Sequence, residues 1–147
     1  MATTNFSGPI ALGAASMPLS TDTGGAGFGT GLSAAKTLTA AESNGMNYIL
    51  DGGTGFGITL PPATQGWRCK FTVGAAFTTD FVFTAATAGT LQGCILEAGA
   101  VQDVAAADTI TLEDGVENIG DFIEFWSDGT SVFVTGNFLT AASVTPA

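Results

Sequence analysis

Side chains able to do covalent chemistry are few in this chain of 147 residues, and no spacing joins them into a catalytic group. Histidine is absent, which removes the usual general base and the commonest protein ligand for metals. No Ser-His-Asp or Cys-His arrangement can therefore form. Ser33 and Lys36 are a conceivable Ser-Lys pair, but no strained nucleophile turn or oxyanion site accompanies them. The sequence favours a protein that is not an enzyme.

The two cysteines, Cys69 and Cys94, are too few for a disulfide framework or for the four ligands of a structural zinc site. Cys69 stands between Trp67 and Phe71 at the same strand parity, which favours a small buried hydrophobic residue. A bridge between Cys69 and Cys94 is the alternative.

Acidic residues gather between Glu113 and Asp128, and clustered loop oxygens are the ligands that calcium prefers. Their spacing does not match an EF-hand loop. A solvated acidic rim is the simpler interpretation, with calcium as the alternative. The glycine-rich run at 24–31 also lacks the phosphate-loop spacing before Lys36-Thr37. We therefore expect neither a cofactor nor a metal.

The charge of the chain excludes several classes of partner. Thirteen acidic residues stand against Lys36, Arg68 and Lys70, for a net charge of −10, and nucleic-acid binding requires many more basic groups. No apolar run approaches membrane-spanning length, and no signal peptide is evident. Charged residues make up only 11% of the chain, so much of the surface is expected to be buried against protein partners. We expect synthesis in a cytoplasm, no membrane contact and an oligomer of identical subunits.

Composition divides the chain into three segments. Residues 1–33 form a Gly/Ala/Ser-rich arm with too few apolar side chains for a core of its own. Residues 34–140 form the β domain, and residues 141–147 a short C-terminal tail. A terminal tail without a role is the alternative for the arm. The apolar arm residues that could each fill a pocket on a neighbouring protein are Phe6, Ile10, Leu12, Met17, Leu19 and Phe28.

Short alternating segments separated by turn residues predict an all-β fold, a compact antiparallel β-sandwich or barrel of about eight short strands. No repeated period indicates a solenoid. Thr39 and Glu42 have capping-box spacing for one helical turn, while 98–107 suits a short helix or a loop. The candidate strands are 36–38, 46–50, 57–60, 67–73, 81–84, 90–96, 109–113, 122–126 and 131–135.

The segment from Gly120 to Val134 predicts a β-hairpin with large apolar groups on both faces. One face can line the core, and the other needs a second layer or another subunit to cover it. Grouping the residues by parity, we expect Phe122, Trp126, Val132 and Val134 to point inward. The residues then expected to pack against a neighbouring layer or subunit are Ile123, Phe125 and Phe133.

Several motifs resemble small β-rich virion proteins of tailed bacteriophages. These are Leu60-Pro61-Pro62-Ala63, Gly66 followed by Phe71, Gly120-Asp121 and Ser127-Asp128-Gly129-Thr130. The resemblance covers roughly 38–136. It departs from the family in the last strand, where Val132-Phe133-Val134 replaces the usual Trp-Tyr-Val.

The resemblance, together with the short chain and the arm, implies a capsid decoration or cement protein. Such a protein binds the major capsid protein on the outer surface of the assembled head, as a homotrimer, and stabilises the lattice by linkage. One alternative is a trimeric tail-fibre or spike module. The other is a carbohydrate-binding attachment module, which requires exposed aromatic side chains.

Overall fold

Twelve short strands form two sheets in the computed structural model, which describes residues 28–64 and 66–147. The larger sheet consists, in spatial order, of β1 (Phe28–Leu32), β3 (Met46–Leu50), β5 (Arg68–Val73), β10 (Phe122–Ser127), β11 (Val132–Phe138), β7 (Leu91–Glu97) and β8 (Ala100–Ala107). The smaller sheet consists of β12 (Val144–Pro146), β9 (Thr109–Leu112), β6 (Phe81–Thr84), β4 (Gly57–Thr59) and β2 (Lys36–Thr37).

Aromatic side chains from both sheets meet in the core between them. Strand β5 alternates as its sequence predicts, with Phe71 buried and its neighbours directed away from the core. The ring of Phe71 lies 4.7 Å from that of Phe83 on β6, and the Phe83 ring lies 5.2 Å from that of Phe125 on β10. Such ring pairs stabilise the contact beyond the area that they bury. The predicted all-β sandwich is confirmed.

Both sheets are mixed, which corrects the antiparallel arrangement expected for the sandwich. From β1 to β6 the chain alternates between the sheets, and each strand pairs parallel with the next one in its own sheet. The intervening strand in the opposite sheet supplies the crossover that parallel pairing requires. Tyr48 on β3 and Phe71 on β5 are register partners whose rings stack at 5.1 Å. The connections differ in length, which explains why the sequence has no visible repeat.

One helical turn, α1 (Ala40–Ser43), interrupts the strands where it was predicted. The hydroxyl of Thr39 accepts a hydrogen bond from the amide of Glu42 at 3.2 Å, and Gly45 follows at φ +78°. In the described part of the chain no helix is long and apolar enough to cross a bilayer.

Strand β8 occupies most of the segment predicted as a short helix or loop. Its hairpin with β7 is closed by Ala98 and Gly99 at φ 48° and 82°, the paired positive values of a type I′ turn. That turn matches the twist of the two strands, so the small residues after it continue as a strand.

Strands also occur in the segments predicted as arm and tail, on either side of the predicted β domain. Strand β1 begins at Phe28, inside the predicted arm, and pairs parallel with β3. Strand β12 lies in the predicted tail, where Val144 pairs with Leu112 and is buried. Backbone hydrogen bonds form whatever the side chain, so small and polar segments can still add edge strands. The arm's first 27 residues lie outside the described residues.

On β10, the first strand of the β10–β11 hairpin, the residues that face the core are the ones predicted to face outward. Phe125 pairs with Val134, and Ser127 pairs with Val132. Four residues lie between Ser127 and Val132. Odd-numbered residues of β10 therefore share a face with even-numbered residues of β11. The prediction grouped residues of both strands by odd or even number alone, although the turn reverses that relation between the strands.

The correction exchanges core and surface along β10. Ile123 and Phe125 are fully buried in the core of their own chain, so their assignment to subunit packing is wrong. Phe122 and Trp126, predicted to point inward, lie on the outer face. Phe133 lies on the outer face as expected, and its contact with a subunit stays a prediction.

Candidate functional site

The outer face of the seven-stranded sheet is the surface that carries unusual chemistry. Strand alternation directs every second side chain of this sheet away from the core. Arg68 and Lys70, two of the three basic residues in the chain, lie there, and in register Arg68 pairs with Trp126 and Lys70 with Glu124 of β10. The outward-facing rings of β10 and two of the three basic residues thus share one face of an acidic protein.

At one end of this face, Trp126 forms the centre of what we call the aromatic platform: Trp126, Phe133, Arg68, Glu124 and Thr135. Trp126 is 37% exposed, and its ring stacks on that of Phe133 at 5.8 Å and 27°. Arg68 Nε donates to Glu124 Oε1, which raises the pKa of the Arg68 guanidinium. A shallow depression of about 350 Å³ is lined by Trp126, Arg68, Glu124 and Thr135.

Lys70 lies beside the platform and contacts Phe122, the other outward-facing ring of β10, which is half-buried. Its Nζ is 4.0 Å from the centroid of the Phe122 ring, a cation–π distance. A second depression of about 280 Å³ runs from the Arg68–Glu124 pair towards Lys70 and Asn47. The ion pair therefore stands between two shallow hollows.

Aliphatic side chains gather at the opposite end of the same sheet, in what we call the end patch: Leu96, Val101, Ile119 and Leu139. Their exposed fractions are 41%, 72%, 77% and 74%. Leu96 and Val101 are register partners on β7 and β8. Leu139 follows β11 directly, where Phe138 pairs with Glu97 beside Leu96. Most of the large exposed hydrophobic residues in the described chain belong to this patch.

Buried Asp121 holds together the two loops that contribute Ile119 and Leu139. Its Oδ1 accepts a hydrogen bond from the Leu139 amide at 3.1 Å, and its Oδ2 accepts one from the Asn118 amide at 2.9 Å. The Asn118 side chain donates to the Thr140 hydroxyl at 2.8 Å. The Asp121 network thus fixes the two loop residues of the end patch, while Leu96 and Val101 are held by the β7–β8 pairing.

The remaining carboxylates of the predicted acidic rim serve separate structural contacts. Glu117 Oε1 accepts from the Phe77 amide at 2.8 Å, while Asp128 Oδ1 accepts from the amides of Thr130 and Ser131 at 2.8 Å each. A hydrogen bond with Asp80 raises the pKa of Asp114. Within 28–64 and 66–147 no three His, Cys, Asp or Glu side chains are placed to hold a metal.

The two cysteines lie on opposite faces of one sheet, so the alternative of a bridge between them is wrong. Cys69 is buried, as predicted, and burial raises the pKa of its thiol to about 12. Cys94 is exposed on the outer face, where it pairs in register with Thr135. Both thiols are free.

The structure describes few of the residues predicted for partner contact. Phe28 opens β1, and the other arm residues, Phe6, Ile10, Leu12, Met17 and Leu19, lie outside the described residues. Sequence reasoning missed the end patch and the exposure of Trp126. The four-residue connection of the hairpin was the signal that could have placed Trp126 on the outer face.

Known proteins add no further guide to these surfaces. The chain matches no protein-family model, no curated protein and no solved structure. The end patch and the aromatic platform are the surfaces whose chemistry bears on function.

Proposed function

We propose that the protein is a structural component of a tailed-phage virion, a decoration or cement protein that binds the assembled head. In this proposal it is made in the host cytoplasm, forms a homotrimer and binds the major capsid protein on the outer surface of the shell. It performs no catalysis, in keeping with a chain that lacks histidine. The observation that carries the proposal is the end patch.

The end patch has the composition of a protein-binding surface. Its side chains are aliphatic, and contiguous exposed apolar residues on a soluble domain mark sites of protein contact. Fully burying one Leu, Ile or Val side chain contributes about 1.5–3 kcal/mol. Four such side chains give a modest interface for each copy, because association has its own entropic cost. Many copies on one lattice turn modest interfaces into strong retention.

The arm supplies the second contact in this proposal. It leads into β1, which forms one edge of the seven-stranded sheet, so an arm leaving that edge can reach past the domain. Phe6, Ile10, Leu12, Met17, Leu19 and Phe28 then fill pockets on neighbouring capsid subunits. Because β1 begins at Phe28, deletion of 1–27 removes the other five contact residues and leaves the strand whole.

Immunogold electron microscopy of particles that contain the protein tests its location. An antibody raised against the purified chain should label the outer surface of intact heads. Label confined to tails would instead support the fibre or spike alternative, and unlabelled particles would overturn a virion role.

Light scattering at micromolar concentration tests the oligomer. We expect three times the chain mass of 14.7 kDa, both for the full chain and for the 1–27 deletion. The deletion variant should then bind phage heads from which the native protein has been removed (stripped heads) at least about tenfold more weakly. That change is a loss of about 1.4 kcal/mol in binding free energy. A monomer contradicts the trimer, and unchanged binding of the deletion variant contradicts a role for the arm.

A further inference from the structure

The aromatic platform exposes an indole ring that the core does not use. Trp67, the other tryptophan, is buried and donates its Nε1 proton to the Pro62 carbonyl at 3.0 Å. Trp126 instead lies on the outer face near the end of β10, the middle strand of the larger sheet, beside a depression and stacked on Phe133. Its neighbours Phe125 and Ser127 point inward and are buried, so they form the core-facing side of this part of the strand.

The groups around Trp126 are hydrogen-bonding groups rather than aliphatic ones. Glu124 and Thr135 are register partners on β10 and β11, and Arg68 pairs in register with Trp126. The guanidinium has five N–H donors, of which Nε–H is directed to Glu124. The platform thus offers an aromatic surface with donors and acceptors at its border, the usual composition of a small polar ligand site.

We propose that the aromatic platform binds a neutral carbohydrate. The apolar C–H face of a pyranose ring lies against Trp126, while its hydroxyl groups bond to Arg68, Glu124 and Thr135. Charge favours a neutral sugar: Arg68 and Glu124 neutralise each other, and the net charge of −10 repels anionic glycans.

This inference is independent of the proposed decoration role, and the two use different ends of the sheet. Trp126 and Phe122 are four residues apart on β10, about 13 Å at strand rise. Phe122 pairs in register with Asn137, and Asn137 pairs with Leu96. Leu96 in turn pairs with Val101, so this row of residues reaches the end patch. A sugar on the platform therefore leaves the patch free. A shallow site of this kind binds one sugar weakly, and a multivalent particle compensates for that.

Titration of the full chain with neutral oligosaccharides tests the site. The probes are gluco-, manno- and galacto-oligosaccharides, followed by calorimetry and by tryptophan fluorescence. We expect at least one series to bind, with a blue shift of the Trp126 emission. Trp126→Ala should weaken binding at least about tenfold, Trp126→Phe should weaken it less, and the end-patch variant Leu139→Ser should bind as the parent chain does.

Two results would overturn the carbohydrate site. One is the absence of any binding up to about 10 mM sugar, where even very weak complexes form. The other is unchanged sugar binding in Trp126→Ala. If that variant is also a smaller oligomer, the platform is assigned to subunit packing. Lattice binding by Trp126→Ala should equal that of the parent chain, so failure of this proposal is separable from failure of the decoration role.

Discussion

The two ends of the outer sheet face differ in chemistry although they belong to the same strands. The end patch presents aliphatic groups, two on strands β7 and β8 and two on loops that the buried carboxylate of Asp121 joins. The aromatic platform presents rings and hydrogen-bonding groups on strands, fixed by register and by the core beneath. Aliphatic surfaces gain free energy mainly by excluding water, whereas aromatic and polar surfaces give orientation and specificity.

This difference indicates that one sheet can offer two independent contacts. A protein lattice suits the patch, because its contact needs area rather than exact geometry. A sugar suits the platform, because its contact needs a flat ring and directed donors. Substitutions that disturb the support of one end should leave the other end unchanged.

The largest effect is expected beneath the platform. Phe125→Ala removes a ring that is fully buried and lies 5.2 Å from Phe83 of the opposite sheet. We expect a loss of about 3–5 kcal/mol in the free energy of unfolding, typical of Phe→Ala in a core. Urea denaturation measures it.

Phe133→Ala is the matched control, because Phe133 lies on the outer face and only partly buried. Its cost should stay near 1 kcal/mol or below, as for surface changes. If Phe125→Ala kept its stability but lost its oligomer, Phe125 would be a subunit contact after all.

The next effect is expected beneath the end patch. Asp121→Ala leaves the amides of Leu139 and Asn118 without their acceptor, and an unsatisfied buried group costs about 1–3 kcal/mol. Hydrogen exchange should accelerate in the loops around Ile119 and Leu139 and stay slow in β10. Asp103→Ala, the same change at an exposed position, should alter neither quantity. Faster exchange throughout β10 would contradict the separation of the two ends.

The sequence predicted most of the strands but not their arrangement. Strands β3 and β6 have the predicted bounds, because their alternating large apolar residues are unambiguous. Strands β1, β8 and β12 were missed, since glycine, alanine and short polar residues carry little periodic signal. The parallel pairing of β1 to β6 joins segments far apart in the chain, which local patterns do not encode.

Both candidate surfaces were hidden from sequence reasoning for physical reasons. Trp126 was placed inward because strand parity was carried across a turn whose length reverses it. The end patch depends on Asp121, whose carboxylate joins two loops from different parts of the chain. A residue that acts through its side-chain hydrogen bonds leaves no periodic trace.

A smaller effect on stability is expected from removing the end patch itself. The double variant Ile119→Ser and Leu139→Ser changes side chains that are 77% and 74% exposed, so unfolding should shift by no more than about 0.5 kcal/mol. Binding to stripped heads should nevertheless weaken at least about tenfold. Cosedimentation with stripped heads measures this binding, and Trp126→Ala is the control that should bind as the parent chain does. Equal binding by both variants would remove the patch from the lattice contact.

The smallest effect is a pH dependence at the platform end of the hairpin. Hydrogen bonds from the backbone amides of Ser131 and Thr130 lower the pKa of Asp128. The pKa of Asp128 is thus lower in the folded chain than in the unfolded chain, where it is about 3.9. The ionised carboxylate therefore stabilises the fold above that pH, and this contribution is lost as the pH falls through the folded pKa. Asp128→Asn, which keeps an acceptor oxygen, should be slightly less stable than the parent chain at pH 6, and the difference should disappear in acid. Urea unfolding followed by tryptophan fluorescence measures it, and a difference that grows in acid would mean that the charge of Asp128 does not stabilise the turn.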